Sequence, residues 1–227
     1  MPFFTKTLIA LSVAAAVGCG VVSSSTRSAD IQNVAPMPEV ETAASTPKGL
    51  QTAVFAGGCF WGLEAVFEHV KGVTDVKSGY SGGDAKTAEY DKVSEGDTGH
   101  AEAVKITFDP AKVSYKELLT VFFSVAHDPT ELNRQGPDRG TQYRSAIFYS
   151  DDEQKTAAAA YIDEMTKAKT LAKPIVTEIT PLKAFYTAEA YHQDYLVRHP
   201  DQPYIVINDR PKVEDLKKRF PQIYVEK

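Results

Sequence analysis

The sequence predicts an α+β protein in which helices flank a mixed β-sheet. Short apolar runs with the length of buried strands recur between residues 50 and 200. Two of these runs are followed by a segment with helical apolar spacing or a helix-capping sequence, and each such segment leads into another apolar run. Because the strand–helix–strand order occurs twice, it matches a split βαβ pattern and indicates a ferredoxin-like two-layer sandwich.

The first strand–helix–strand unit begins with a buried strand at residues 53–56. From Phe60 onward, apolar residues at positions 60, 63, 66, 67 and 70 form one helical face, and Gly72 is a typical C-terminal stop. Residues 73–78 have the pattern of the second strand. The unit therefore places a helix directly after the first strand.

A polar, glycine-rich loop over residues 78–102 separates the two units. Loops of this length in a compact domain are usually functional or disordered. The second unit starts with a strand at 103–108, and Ser114 with Glu117 forms a capping box that opens a helix to about residue 125.

The remaining elements follow a second loop at 127–142. They are a strand at 143–149, a helix capped by Ser150 with Glu153 that continues to about residue 169, a strand at 175–180 and a helix at 187–198. The tail after Pro200 has a mixed pattern and is expected to be irregular. The domain is therefore assigned to residues 50–227.

Composition indicates a globular protein with a substantial core and no basic surface. The chain has 227 residues, of which 43% are hydrophobic and 24% are charged, and its net charge is −5 with a pI near 5.6. A nucleic-acid-binding protein usually carries a basic face, so we expect no nucleic-acid partner. Nothing in the sequence requires more than a monomer.

The N-terminus has the features of an export signal. Residues 8–17 form an apolar run after Lys6 that is too short to span a bilayer and has the length of a signal-peptide core. The run ends in AVGC, which resembles a bacterial lipobox and makes Cys19 the expected lipidation site. We therefore expect a signal peptide at 1–18, a disordered tether at 19–49, and a membrane-anchored lipoprotein facing the periplasm or the cell exterior. A plain secretory signal is the alternative.

Cys59 is the residue most suited to chemistry. The chain has two cysteines, and if Cys19 is lipidated then Cys59 is an unpaired thiol in an exported protein, where thiols are usually paired. Cys59 follows Gly57 and Gly58 at a predicted strand-to-helix turn. The glycines are expected to leave the thiol uncovered, and the helix N-terminus is expected to favour its thiolate. A buried structural cysteine is the alternative.

The sequence around Cys59 resembles the active-site signature of the A class of peptide methionine sulfoxide reductases. GCFWG at 58–62 carries the resemblance, which continues in family order with GYSGG at 79–83, EYDKVSEGDTGHAEAV at 89–104, HDPTELNRQGPDRGTQYRSAIF at 127–148 and YHQDYL at 191–196. It extends from about residue 53 to residue 200. The resemblance implies thiol-dependent reduction of methionine-S-sulfoxide, free or in proteins, to methionine, and repair of oxidised exported proteins.

The resemblance also implies roles for seven residues. Cys59 would be the nucleophile and Glu102 the acid, whose pKa the apolar neighbours Ala101, Ala103 and Val104 would raise by desolvation. Tyr90 and Tyr143 would hold the sulfoxide oxygen, and Asp138 would help to organise the site. Phe60 and Trp61 would surround the S-methyl group.

The sequence departs from many family members in its cysteines. The tail after Pro200 lacks the resolving cysteines of those relatives, and Ser94 occupies a position that is cysteine in some of them. We therefore expect Cys59 to become a sulfenic acid that an external thiol reduces, either a thioredoxin-like protein or a small thiol. We expect no bound cofactor and no metal.

Three other readings remain open from the residues alone. A cysteine hydrolase would need a histidine beside Cys59, and His100, His127 and His192 are available. A zinc site is disfavoured because the histidines lack a tight ligand spacing. A non-enzymatic lipoprotein or sulfoxide-binding module would account for the N-terminus, but not for the joint match of one Cys, one Glu and two Tyr.

Overall fold

The computed structural model describes residues 49–227, which form a six-stranded mixed sheet with helices packed on it and a separate two-stranded sheet. The strands are β1 Gln51–Gly57, β2 Val73–Ser81, β3 Ala101–Phe108, β4 Arg134–Gln135, β5 Asp138–Arg139, β6 Ser145–Tyr149, β7 Glu178–Pro181 and β8 Phe185–Thr187. The α-helices are α1 Phe60–Glu68, α2 Tyr90–Val93, α3 Tyr115–Val121, α4 Asp152–Lys167, α5 Tyr195–Arg198 and α6 Arg210–Arg219. Short 3-10 turns occur at Ala85–Thr87, Thr141–Tyr143 and Ala190–His192, and π-helical turns occur at Phe122–Ala126 and Ile205–Asp209.

The main sheet has the strand order β7-β6-β1-β3-β2-β8. Only β6 and β7 pair in parallel, and the other neighbours are antiparallel. Strand β3 lies between β1 and β2, while β1 lies between β3 and β6. Both predicted units are therefore split βαβ units, and the predicted α+β sandwich with a mixed sheet is confirmed.

The core lies between the sheet and the helices on one face. Phe55 of β1 packs there against Phe67 of α1 and Phe122 after α3, with ring centroids 5.7 and 4.8 Å apart. The opposite face carries smaller residues such as Ala56 and Ala103, and it is covered in part by Phe185. Because adjacent strand residues point to opposite faces, β1 supplies both layers.

Several predicted boundaries differ from the structure for tertiary reasons. Helix α1 ends at Glu68 rather than at Gly72, since Val70 forms a bridge with Tyr224 of the tail. The Ser114–Glu117 capping box is confirmed, and its two backbone–side-chain bonds measure 2.7 and 3.2 Å.

The capping residue of helix α4 was predicted wrongly. Asp151, not Ser150, is its N-cap, because the Asp151 side chain accepts from the Gln154 N–H at 2.8 Å. The strand predicted at 175–180 is β7, which begins at Glu178.

The helix predicted at 187–198 is wrong. The chain there forms the end of β8, a 3-10 turn and the four-residue helix α5. Gln193 bonds through its side chain to both backbone groups of Ser78, at 3.1 and 3.0 Å. Asp194 has a φ of +53° and donates its N–H to Glu64 Oε2 at 2.9 Å. Bonds to β2 and α1 thus replace the regular helical bonds.

The tail predicted to be irregular is largely helical. It contains the π-helical turn Ile205–Asp209 and helix α6, whose Leu216 is fully buried in the core. Helix α6 could not be predicted from the apolar pattern because it is mostly polar and buries little more than this one position.

The predicted signal peptide, the lipidation site Cys19 and nearly all of the tether lie outside the described residues. In the part of the chain that the structure covers, no helix has the length and apolarity needed to cross a membrane.

Candidate active site

All seven residues selected from the sequence line one cavity of about 200 Å³, together with Tyr204. The cavity lies where β1 meets α1, with β3 beneath it and two loops and the C-terminal tail around it. Its lining residues are Cys59, Phe60, Trp61, Tyr90, Glu102, Asp138, Tyr143 and Tyr204.

Cys59 is the N-cap of α1 and is only 8% exposed. Gly58 before it has a φ of +99°, and a Cβ there would come 2.5 Å from the Gln135 side chain. A Cβ on Gly57 would come 2.8 Å from the His127 ring. The glycines therefore admit neighbouring side chains rather than uncover the thiol, which corrects the prediction from the sequence.

The expected ionisation of Cys59 is also corrected. Burial raises the pKa of the thiol well above its ordinary value, and the nearby carboxyls of Glu102, Asp209 and Asp138 raise it further. The backbone N–H of Trp61 acts in the opposite direction, as the helix N-terminus predicts, but is outweighed. At neutral pH Cys59 is therefore held as the thiol.

Glu102 is 2% exposed and lies on β3, where its carboxyl meets the N-terminus of α1. The Phe60 N–H donates to Glu102 Oε2 at 3.0 Å. Burial raises the pKa of Glu102 to about 8; the Phe60 N–H opposes the rise, and the charges of Asp138 and Asp209 add to it. At neutral pH this carboxyl is therefore mostly protonated and able to give up a proton.

The rise in the Glu102 pKa was expected, but two of the three apolar neighbours assigned to it lie on the other face of the sheet from its side chain. Ala101 and Ala103 precede and follow Glu102 in the strand, so they point to the opposite face of the sheet and belong to the smaller apolar cluster there. Val104 lies on the same face as Glu102 and belongs to the main core. The Glu102 side chain thus shares its face of the sheet with the main core and meets the N-terminus of α1.

Three tyrosines surround the cavity, and all are half-buried. Burial raises the pKa of Tyr90, Tyr143 and Tyr204 above the ordinary value, so each hydroxyl keeps its proton. The Tyr204 hydroxyl donates to Asp138 Oδ2. Burial also raises the pKa of Asp138, although the Tyr204 hydroxyl and the charge of Lys212 oppose this rise.

Tyr204 was missed in the sequence. No local pattern marks it, because its contact with Asp138 joins residues 66 positions apart. The apolar run around it, PYIVI, was the available signal.

The aromatic wall consists of Phe60, which is fully buried, and Trp61, which is half-buried. The Trp61 ring stacks on Tyr195 with centroids 3.8 Å apart and an angle of 6°. Its indole N–H donates to His192 Nδ1 at 3.1 Å. The packing leaves an apolar surface beside Cys59 that suits an S-methyl group.

Asp209 is a second residue missed in the sequence. It is fully buried behind α1, forms a 3.2 Å ion pair with Lys212, and leaves its Oδ2 without a partner. A Cβ on Gly62 would lie 2.2 Å from Asp209 Oδ1. The last glycine of GCFWG therefore allows a carboxylate to approach the first turn of α1.

The histidines do not support a cysteine hydrolase. No histidine of the described part of the chain lines the cavity. His127 is held by the Phe122 carbonyl and the Ser145 hydroxyl at 2.9 and 2.7 Å, while His192 Nδ1 is occupied by Trp61. Over residues 49–227 no group of three or more His, Cys, Asp and Glu side chains is arranged to hold a metal ion.

The cavity therefore combines a thiol, a protonated carboxyl, hydroxyl donors and an apolar wall. A sulfoxide needs this combination, because its sulfur becomes electrophilic only when its oxygen is protonated or strongly hydrogen-bonded.

Comparison with known proteins gives one family. A family model described as peptide methionine sulfoxide reductase matches residues 51–223. A peptide methionine sulfoxide reductase MsrA 2 of Mesorhizobium japonicum is 59% identical over 179 residues, which cover 79% of this chain and 92% of the relative. An MsrA 2 of Synechocystis is 52% identical over 185 residues, which cover 82% and 86%.

Solved structures agree. The structure of Mxr1 from Saccharomyces cerevisiae in reduced form matches with a TM-score of 0.64 at 35% identity, covering 71% of this chain and 92% of that chain. Methionine sulfoxide reductase A of Corynebacterium diphtheriae matches with a TM-score of 0.59 at 36% identity, covering 68% and 77%.

Proposed function

This chain belongs to the peptide methionine sulfoxide reductase family, A class, and is an oxidoreductase that reduces methionine sulfoxide; we propose that Cys59 is its nucleophile and Glu102 its acid. Each sulfoxide epimer has its own reductase, and we propose the S epimer as the substrate because the resemblance to the A class implies it. The observation that carries the proposal is one cavity that holds both the only thiol of residues 49–227 and a carboxyl with a pKa raised to about 8.

The first half-reaction moves one oxygen atom to Cys59. Glu102 gives its proton to the sulfoxide oxygen while the Cys59 sulfur, losing its own proton, attacks the sulfoxide sulfur. The oxygen then passes to Cys59, so the substrate S–O bond breaks and a sulfenic acid S–O bond forms. The thiol proton restores Glu102. Methionine sulfur is reduced by two electrons, and Cys59 is oxidised by two.

The hydroxyls and aromatic rings act on substrate position and charge. Tyr90 and Tyr143 donate hydrogen bonds to the sulfoxide oxygen as it gains charge. Tyr204 holds Asp138 in place, and Trp61 packs against the S-methyl group. Donors that are preorganised in a cavity closed to water stabilise the developing charge more strongly than the same donors in water.

The second half-reaction needs an external thiol. A thiol attacks the Cys59 sulfenic acid, releasing water and forming a mixed disulfide. A second thiol, from the same protein or from a second small-thiol molecule, then releases Cys59 as the disulfide of the reductant forms. We propose a thioredoxin-like protein or a small thiol as the reductant. The absence of any cysteine after Cys59 in the sequence supports this one-cysteine cycle.

The experiment follows thiol consumption with methionine-S-sulfoxide, free and in a peptide. The Cys59→Ser variant should have no turnover, and an active variant would refute the nucleophile. A single turnover without reductant should leave Cys59 trapped as a sulfenic acid adduct in mass spectrometry. An unmodified thiol after methionine release would contradict the sulfenic acid.

We also propose that the protein is exported and anchored through Cys19, where it would repair oxidised exported proteins. The support is the apolar run at 8–17 and the lipobox-like sequence before Cys19. Labelling with a radioactive fatty acid should mark the wild-type protein and not the Cys19→Ala variant. Equal labelling of both would rule out this anchor.

A further inference from the structure

Glu189 bonds through both carboxylate oxygens to two different parts of the protein. Its Oε1 accepts from the Tyr90 backbone N–H at 2.8 Å, and its Oε2 accepts from the Tyr80 hydroxyl at 2.8 Å. Partial burial opposes ionisation of the carboxyl, but its hydrogen bonds lower its pKa overall. Both bonds are therefore made to a carboxylate and belong to the stronger, charge-assisted kind.

The bond to Tyr90 caps helix α2 from a distant segment. The first N–H groups of a helix have no partner within the helix. Glu89, the N-cap residue, makes no capping bond and pairs instead with Lys92 at 2.6 Å. Glu189 is 99 residues away in sequence and supplies the missing acceptor.

The two ends of α2 are held by different neighbours. Beyond its C-terminus, Gln142 donates to the Ser94 carbonyl at 2.9 Å, and Thr141 donates to the Gly96 carbonyl at 2.6 Å. At its N-terminus, where Tyr90 lies, Glu189 is the anchor.

The other partner of Glu189 is rigid. Tyr80 is fully buried in β2, and its ring packs 5.8 Å from the Phe60 ring. Glu189 therefore connects the backbone of Tyr90, within a glycine-rich loop, to the central sheet beneath the cavity.

We propose that Glu189 is a positioning residue for the reduction and acts through Tyr90. By fixing the Tyr90 backbone, its carboxylate sets the place at which the Tyr90 hydroxyl meets the sulfoxide oxygen. This inference rests on the function proposed above for Tyr90.

The test is a double-mutant cycle assayed with methionine-S-sulfoxide and excess dithiothreitol. The Glu189→Ala variant should lower kcat by up to about 100-fold, the order expected when a catalytic group is displaced by about 1 Å. In a Tyr90→Phe background the same change should cost no more than about twofold in kcat, because the hydroxyl through which Glu189 acts is gone.

Two further variants separate positioning from loss of the fold. Glu189→Asp keeps the charge but withdraws both carboxylate oxygens by one methylene, so it should lower kcat as Glu189→Ala does. In the Tyr90→Phe background, Glu189→Asp should likewise have little effect on kcat. Glu89→Ala is the matched control and should keep wild-type kcat, since Glu89 does not cap α2. Amide hydrogen exchange at Tyr90 should be faster in both Glu189 variants and unchanged in the control.

The outcomes distinguish the two proposals. Wild-type kcat in Glu189→Asp, or an undiminished loss in the Tyr90→Phe background, would overturn the role of Glu189. Wild-type kcat in Tyr90→Phe alone would overturn the role of Tyr90 itself.

Discussion

Replacing Glu102 with glutamine should reduce turnover and, at the same time, stabilise the fold at alkaline pH. Glutamine keeps the shape and can still accept from the Phe60 N–H, but it cannot deliver a proton. General acid catalysis usually contributes 10²–10⁴-fold, so kcat should fall by about that factor, and binding of the sulfoxide should change much less.

The stability effect follows from the raised pKa of Glu102. Its rise from 4.5 to about 8 on folding, at about 1.4 kcal/mol per unit, corresponds to a ceiling of about 5 kcal/mol. Below pH 4.5 the carboxyl is protonated in both states and costs nothing. Between pH 4.5 and about 8 the unfolded chain loses the proton first, so wild-type stability falls with pH. The glutamine variant has no such loss.

Urea unfolding of the wild type and of Glu102→Gln from pH 4 to pH 9 measures the difference in their free energies of unfolding. The contributions of the other titrating groups are nearly the same in both proteins and largely cancel. The variant should gain stability relative to wild type up to about pH 8 and level off above it. Glu64→Gln is the matched control: burial raises the pKa of Glu64 to about 7 on α1, outside the cavity. It should change the pH dependence of stability but leave kcat intact. A difference between Glu102→Gln and wild type that stays constant with pH would refute the reasoning.

Three other substitutions or titrations test particular contacts. Gly62→Ala should lower the free energy of unfolding by about 1–3 kcal/mol, because its Cβ would lie 2.2 Å from Asp209 Oδ1; unchanged urea unfolding would contradict that approach. Tyr204→Phe should lower kcat, and it should lower the free energy of unfolding by about 1–3 kcal/mol because it leaves the half-buried Asp138 carboxylate without its donor. A variant with wild-type kinetics and stability would show that this donor is dispensable. Below pH 6.5, protonation of His192, whose pKa burial lowers, removes the acceptor of Trp61. The fluorescence emission of this single tryptophan should then change with pH. If a His192→Gln variant showed the same pH transition, the transition would belong to a group other than His192.

A helix cap formed by neighbouring residues could be predicted, whereas segments shaped by side-chain bonds to distant elements could not. The capping box of Ser114 and Glu117 is visible in four residues of sequence, and the structure has it as expected. The segment 187–198 has helical spacing, but Gln193 and Asp194 bond to β2 and α1 instead. Helix propensity is a weak preference that such tertiary contacts override.

The sequence by itself determined the split βαβ order, the junction that carries Cys59 and, through the family resemblance, seven of the eight residues that line the cavity. Only the tertiary structure decided how those groups ionise and what holds them. Cys59 lies at a helix N-terminus, as expected, yet its pKa is raised, since burial and three carboxyls from distant segments outweigh one backbone N–H. Burial raises the pKa of Glu102 to about 8, and Tyr204 reaches Asp138 from a tail whose apolar run does not mark it as part of the site. Burial and long-range charge are properties of the folded chain, so no local stretch of sequence contains them.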